Sequence, residues 1–135
     1  MKLEFTVNKP LPYVFEYLTD MEKFVSVHPI IDKMDALGEN NYVVYEKLKL
    51  LSIPCTFKYK ALITGSVNGD HVNIQAVVMR MIEIEMNFHL KTNGDMTQIT
   101  EEVSFRTVLP VKPIMQKIFR EQHLQLFNNI AKART

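Results

Sequence analysis

One stretch near the C-terminus limits what this chain can become. From Pro113 to Ala131, residues Ile114, Met115, Ile118, Phe119, Leu126, Phe127 and Ile130 share one broad face at 3.6 residues per turn. Lys117, Glu121, Asn128 and Lys132 fall opposite. A helix of this kind must lie along something wide and flat. Pro110 and Pro113 mark its start, since proline fits a first turn but not a helix interior. Gln122 and His123 interrupt the apolar arc. Each needs a partner or water once buried, so a helix that only packs would rarely carry both. A helix that roofs a partly hydrated hollow can.

The surface beneath it has to come from the preceding residues. Lys2 to Val7 alternates, with Leu3, Phe5 and Val7 on one side, as in a half-buried strand. Asn8 is placed to cap a first helix, in which Leu11, Val14, Phe15 and Leu18 recur with helical spacing. Asp20 is a second N-cap, before a shorter helix through Phe24 and Val25 that Pro29 stops. From Ile30 to Arg106 nothing reads as a helix. Strands are expected near 31–37, 42–50, 55–65, 71–79, 81–90 and 97–106. Turns fall at Gly38–Asn41, Asn68-Gly69-Asp70 and Asn93-Gly94-Asp95, with a looser connection at Leu51–Pro54. No turn residue separates the strands that meet at Arg80–Met81. The expected fold is therefore α+β: a seven-stranded, largely antiparallel sheet, two short helices after the first strand, and a long C-terminal helix. A strongly twisted sheet curls, and a straight helix laid across it leaves a cavity.

Length and charge narrow the function classes. At 135 residues the chain is expected to form a single domain, residues 1–135, with its own core. A net charge of +1 gives no whole-chain attraction to nucleic acid or to a membrane surface, and no apolar run approaches the length needed to span a bilayer, so neither nucleic-acid binding nor stable membrane insertion is expected. Cys55 is the only cysteine, which excludes an internal disulfide and makes the cytoplasm the default location. Four histidines, His28, His71, His89 and His123, lack metal-ligand spacing. No phosphate loop, dinucleotide fingerprint or nucleophile elbow is present, so no metal and no cofactor are expected. Eight methionines and no tryptophan are unusual. They read as core filler in adjoining strands or as an adaptable apolar surface.

The stretch FTVNKPLPYVFEYLTDMEKFVSVHP, Phe5 to Pro29, resembles the opening of the START-like, or SRPBCC, superfamily of helix-grip proteins. The shared pattern is a strand, a proline, an aromatic-rich first helix, Thr-Asp, and a short helix ending near His-Pro. Tyr13, Phe15 and Tyr17 supply the aromatics, while the tryptophan of many members is absent. By element order the resemblance spans the whole chain. It implies the helix-grip fold and a cavity for a lipid- or polyketide-like molecule. It implies no reaction, because only some members are enzymes.

Breaks in strand alternation mark candidate residues. On strand 97–106, Ile99, Glu101, Val103 and Phe105 share a face, which sets Glu101 on the apolar side. An inward carboxyl can act as acid or base, or it can lie paired at a sheet end. Glu46 joins it if Val44 and Leu48 also face the helix. On strand 55–63, Cys55, Phe57, Tyr59, Ala61 and Ile63 form one face. A pairing of Cys55 with a histidine stays open. On strand 81–90, Ile82, Ile84, Met86, Phe88 and Leu90 oppose Glu83, Glu85, Asn87 and His89. That acidic row reads as a solvated face or as one facing neighbouring lysines. The expected ligand-binding set is Phe57, Tyr59, Met86, Phe88, Glu101, Met115, Phe119, Gln122 and His123.

The expected function is binding of a small or medium hydrophobic molecule between sheet and helix. Two alternatives stay open. One is a cyclase or dehydratase in which Glu101 or His123 moves protons, and the other a protein-interaction module with no ligand. A carboxylate–histidine pair within hydrogen-bond reach favours the enzyme, whereas a closed, dry core favours the module. The ligand, the oligomeric state and any catalysed reaction are not readable from these residues.

Overall fold

A computed structural model describes residues 1–50 and 52–133. Strand β1 (Lys2–Val7) is followed by helices α1 (Leu11–Thr19) and α2 (Met21–Val27). Six strands come next: β2 (Ile31–Gly38), β3 (Asn41–Leu50), β4 (Ile53–Gly65), β5 (His71–Val78), β6 (Ile82–Asn93) and β7 (Met96–Arg106). The long helix α3 (Lys112–Lys132) closes the chain. The strands form one antiparallel sheet in the order β1-β7-β6-β5-β4-β3-β2, so five hairpins in sequence are completed by β1 pairing back onto β7.

The connections follow local chemistry, with two departures from expectation. Asp20 caps α2, its carboxylate accepting from the amides of Glu22 and Lys23 at 3.1 and 3.2 Å. Asn8 does not cap α1, which starts from Pro10 without a side-chain cap. Its rigid extended φ already places the chain to enter a helix. The second departure is at β4, which begins at Ile53 and pairs it with Leu50, so Pro54 lies within a strand and not in a loose connection. Leu51 lies outside the described residues. The β5–β6 turn is built by Met79 and Arg80, both with positive φ (56° and 58°), and closes with the Met81 amide donating to Val78 O at 3.2 Å.

Alternation sorts the sheet into two faces. Leu3, Glu101, Phe88 and Val72 sit in register across β1, β7, β6 and β5, all buried on the inner face. The acidic row of β6 is on the outer face. Its partners are not lysines: Glu83 pairs with Arg106 at 3.1 Å, and Glu85 accepts from Asn73 and Gln75. Amide and arginine side chains from the neighbouring strands stand closer in register than any lysine does.

Helix α3 behaves as two halves. Leu126, Phe127 and Ile130 are buried in the main core beside Val14, Leu18 and Phe24 of the short helices. The Tyr13 hydroxyl fastens this end by donating to the carbonyls of Ala133 (2.7 Å) and Ile130 (3.2 Å). Toward the N-terminus, Met115 and Phe119 are only half-buried, and Ile114, expected on the packed face, is 57% exposed. Helical periodicity fixes a direction around the axis, not the distance to whatever lies below it.

Candidate functional site

Beneath the outlying half of α3 the sheet curls away and leaves a cavity of about 630 Å³. Its walls are mainly apolar. Val44 and Leu48 come from β3, Ala61 and Ile63 from β4, Ala76 and Val78 from β5, and Ile82 and Ile84 from β6. Of the nine expected site residues, eight line it: Phe57, Tyr59, Met86, Phe88, Met115, Phe119, Gln122 and His123. The ninth, Glu101, is not on the wall. It stands behind His123, fully buried.

His123 is 5% exposed, and its Nδ1 lies 2.6 Å from each carboxylate oxygen of Glu101. Only Oε1 has hydrogen-bond geometry, which leaves Oε2 buried without a partner. The imidazole is held between aromatic rings, Phe119 at 5.0 Å and Phe88 at 6.0 Å between centroids. His123 is thus packed among these rings and does not sit at a solvent-exposed edge. Gln122 reaches the wall from the preceding position, and the two do not satisfy each other, since the histidine's partner is Glu101.

Glu46 faces inward, as the alternation of β3 allows, and accepts a hydrogen bond from the Tyr59 hydroxyl. Burial raises the Glu46 carboxyl above its ordinary value, opposed by the Tyr59 hydrogen bond and by charge on His123. Burial likewise lifts the Tyr59 phenol well above its usual range, and the Glu46 carboxylate adds to the shift.

His28 was not among the expected site residues. It caps the end of α2 with its own amide, which donates to Phe24 O at 3.0 Å, and its side chain then turns into the cavity wall. Nδ1 accepts from the amides of Ile30 and Ile31 at 3.3 and 3.2 Å. This fixes the tautomer, because an accepting Nδ1 leaves the proton on Nε2. Desolvation, helped by charge on His123, pushes the imidazole down to about 3. In sequence it is one of four scattered histidines, distinguished only by preceding Pro29. Its signal would have been a histidine at a helix end followed closely by a strand whose first residue, Ile31, is buried.

Elsewhere the wall opens to solvent. Met79, 59% exposed, and Ile114 stand at the mouth beside Lys49 and Lys117. Methionine on this side is therefore not simply core filler. Cys55 lies off the cavity wall, its thiol turned to the Ile53 carbonyl at 3.6 Å and not to a histidine. Among the described residues there is no group of three or more side chains suited to hold a metal, and no helix is long and apolar enough to cross a membrane.

No family profile matches the sequence, and no curated protein is similar to it at a significant level. Solved structures are similar in fold. A conserved protein from Geobacillus kaustophilus superposes with a TM-score of 0.81 at 14% identity, over 97% of this chain and 91% of its own. A START superfamily protein from Mycobacterium smegmatis gives 0.75 at 12% identity, over 98% and 94%. The Zhui aromatase/cyclase from Streptomyces sp. R1128 gives 0.72 at 13% identity, over 98% and 90%. The chain has the START/SRPBCC helix-grip fold.

Proposed function

We propose that residues 1–135 act as one ligand-binding domain, holding a small or medium hydrophobic molecule with an oxygen-bearing group at one end. The observation that carries this is the cavity itself. At about 630 Å³ it falls within the range of natural small-molecule sites, and its apolar wall is broken by His28, Glu46, Tyr59, Gln122 and His123. The apolar wall favours a water-insoluble body. The polar set favours a carbonyl or hydroxyl, because a buried donor or acceptor left unmatched is costly. A lipid-like or polyketide-like molecule meets both demands. A purely packing interaction module needs a closed core, which this cavity does not supply. Catalysis is the second reading, supported by the His123–Glu101 pair within hydrogen-bond reach and by one fold neighbour's being an aromatase/cyclase.

The test is native mass spectrometry of freshly purified protein, followed by titration with a hydrophobic fluorescent probe. A co-purifying mass, or probe uptake that the recovered molecule displaces, is expected. His123→Asn should melt near the parent temperature yet bind with altered affinity, since asparagine keeps a donor for Glu101. A bare mass together with no uptake of 1-anilinonaphthalene-8-sulfonate would remove the binding reading.

A further inference from the structure

The acidic row of β6 meets no lysine within its own chain, yet lysines stand on the same outer face two strands away. Lys58 and Lys60 project outward from β4, both exposed, and enter no ion pair among the described residues. Glu83 and Glu85 project outward from β6 and are also exposed. Between them lies Val77 of β5, an outward valine that is 48% exposed. Register sets these in one line: Lys60, Val77, Glu83 and Arg106 follow one another across β4, β5, β6 and β7. Reversing that line about Val77 sets lysine against glutamate and valine against valine.

We propose that the outer face of the sheet is the contact between two copies of this chain, packed face to face about a two-fold axis that runs along β5 at Val77. A contact of this symmetry requires one patch to complement itself. Here Lys60 of each copy meets Glu83 of the other, so the ion pair is made twice. Val77 packs on the second copy's Val77. Further along β5, Gln75 and Asn73 also meet their own counterparts. A side-chain amide both donates and accepts, so such self-pairing can be satisfied. Along β4, β5 and β6 no two like charges face each other across this axis. Sheets packed in this way keep their strands within about 30° of each other, so the match is closest beside the axis.

The size of the face suits the contact. A standard specific interface takes about 800 Å² from each partner, roughly a tenth of the 8303 Å² that this chain exposes. Seven strands at about 4.8 Å spacing span about 30 Å, wide enough to supply it. Polar and charged residues surround a single valine, so the dimer is reversible and weakens as salt screens its ion pairs. The cavity lies on the opposite face, beneath α3, and stays open in the dimer. The inference therefore stands apart from the identity of any bound molecule.

Sedimentation equilibrium of the full chain at low salt, from about 10 μM to about 1 mM, should show a mass climbing from 15.7 kDa toward twice that value. Lys60→Glu and Glu83→Lys each turn two attractions into two repulsions, so each should weaken self-association by about tenfold or more. Mixing the two variants should restore it, because both lysine–glutamate contacts are complete in the mixed dimer. A second measurement locates the axis. In a Cys55→Ser background, Val77→Cys should cross-link to a covalent dimer on oxidation, whereas Ser104→Cys, two strands from the axis, should not. The cross-linking pair carries the test even where a charge reversal lowers stability. A mass that stays at 15.7 kDa throughout, single reversals that associate as the parent does, no recovery on mixing, or equal cross-linking at both positions overturns the inference.

Discussion

His28 makes the fold sensitive to mild acid in a way that can be isolated. In the native chain its imidazole stays neutral down to about pH 3, because it is desolvated and its Nδ1 accepts from two backbone amides. In the unfolded chain an ordinary histidine takes up its proton near pH 6.5. The native value is lowered, so the stabilising contribution is complete above the unfolded value and drains away as pH falls from there toward 3. Because the native value lies far below the working range, the loss is set by the unfolded histidine alone. Integrating the proton linkage from pH 7 to pH 5 gives about 2 kcal/mol. His28→Asn keeps an oxygen that can accept from Ile30 and Ile31 but cannot titrate. Urea unfolding at pH 7 and pH 5 should therefore show the parent losing about 2 kcal/mol more than the variant. The other histidines and the carboxyls are common to both proteins and cancel in the difference. Parallel losses across that interval would refute both the neutral, buried imidazole and the hydrogen-bond direction assigned to it.

Other perturbations test other parts of the structure. Phe127→Ala should cost about 3–5 kcal/mol in urea melts, as expected for a phenylalanine 2% exposed, while half-buried Phe119→Ala should cost roughly half that. Equal losses would contradict the two-halves account of α3. Gly65→Ala sets a Cβ 2.8 Å from Phe15 Cζ and 3.0 Å from Thr19 Cγ2, so a loss of about 1–3 kcal/mol is expected, partly recovered by adding Phe15→Leu. Arg80→Gly relieves a left-handed residue at φ 58° and should raise stability by about 0.5–1 kcal/mol, net of glycine's own entropy cost. Glu46→Gln should leave stability little changed near pH 4 and raise it at neutral pH. The folded carboxyl is raised above its unfolded value, so the parent loses stability as pH climbs through that interval, and parallel profiles would contradict the assignment.

Much of the fold was legible because the two sequence periods are local. Alternation grouped Tyr59, Phe88 and Glu101 with the apolar strand faces, and each is found on the inner face, while the orientation of Val44 and Glu46, open in the sequence, is inward. The Asn-Gly pairs marked tight turns, since Gly69 and Gly94 take the positive φ angles they permit. The turn at Met79–Arg80 was not legible, because neither residue prefers the backbone angles it adopts. Depth was equally hidden. Ile114 and Ile130 share a helix face, yet one is 57% exposed and the other fully buried. What separates them is how far the sheet curls away, a property of all seven strands together. Glu46 and Glu101 looked alike in sequence for the same reason. One reaches the cavity wall, while the other is sealed behind His123.

The polar residues of the cavity work against the stability of the domain that holds them. Glu101 is fully buried with an oxygen unsatisfied, Glu46 is kept from ionising freely, and His28 is denied its proton. Apolar residues of similar size would pack without these losses. The outlying half of α3 has the same character, since its apolar side chains cover space instead of filling it. The firmly packed end, with Phe127, Ile130 and the Tyr13 clasp on the last turn, offsets the cost. The domain thus separates its tasks along one helix, anchoring at the C-terminal end and roofing at the N-terminal end. His123 stands one turn before Phe127, where the two regimes meet, so the imidazole is gripped by core packing on one side and borders the hollow on the other. That position lets one residue be held rigidly by its neighbours while its edge still borders the hollow.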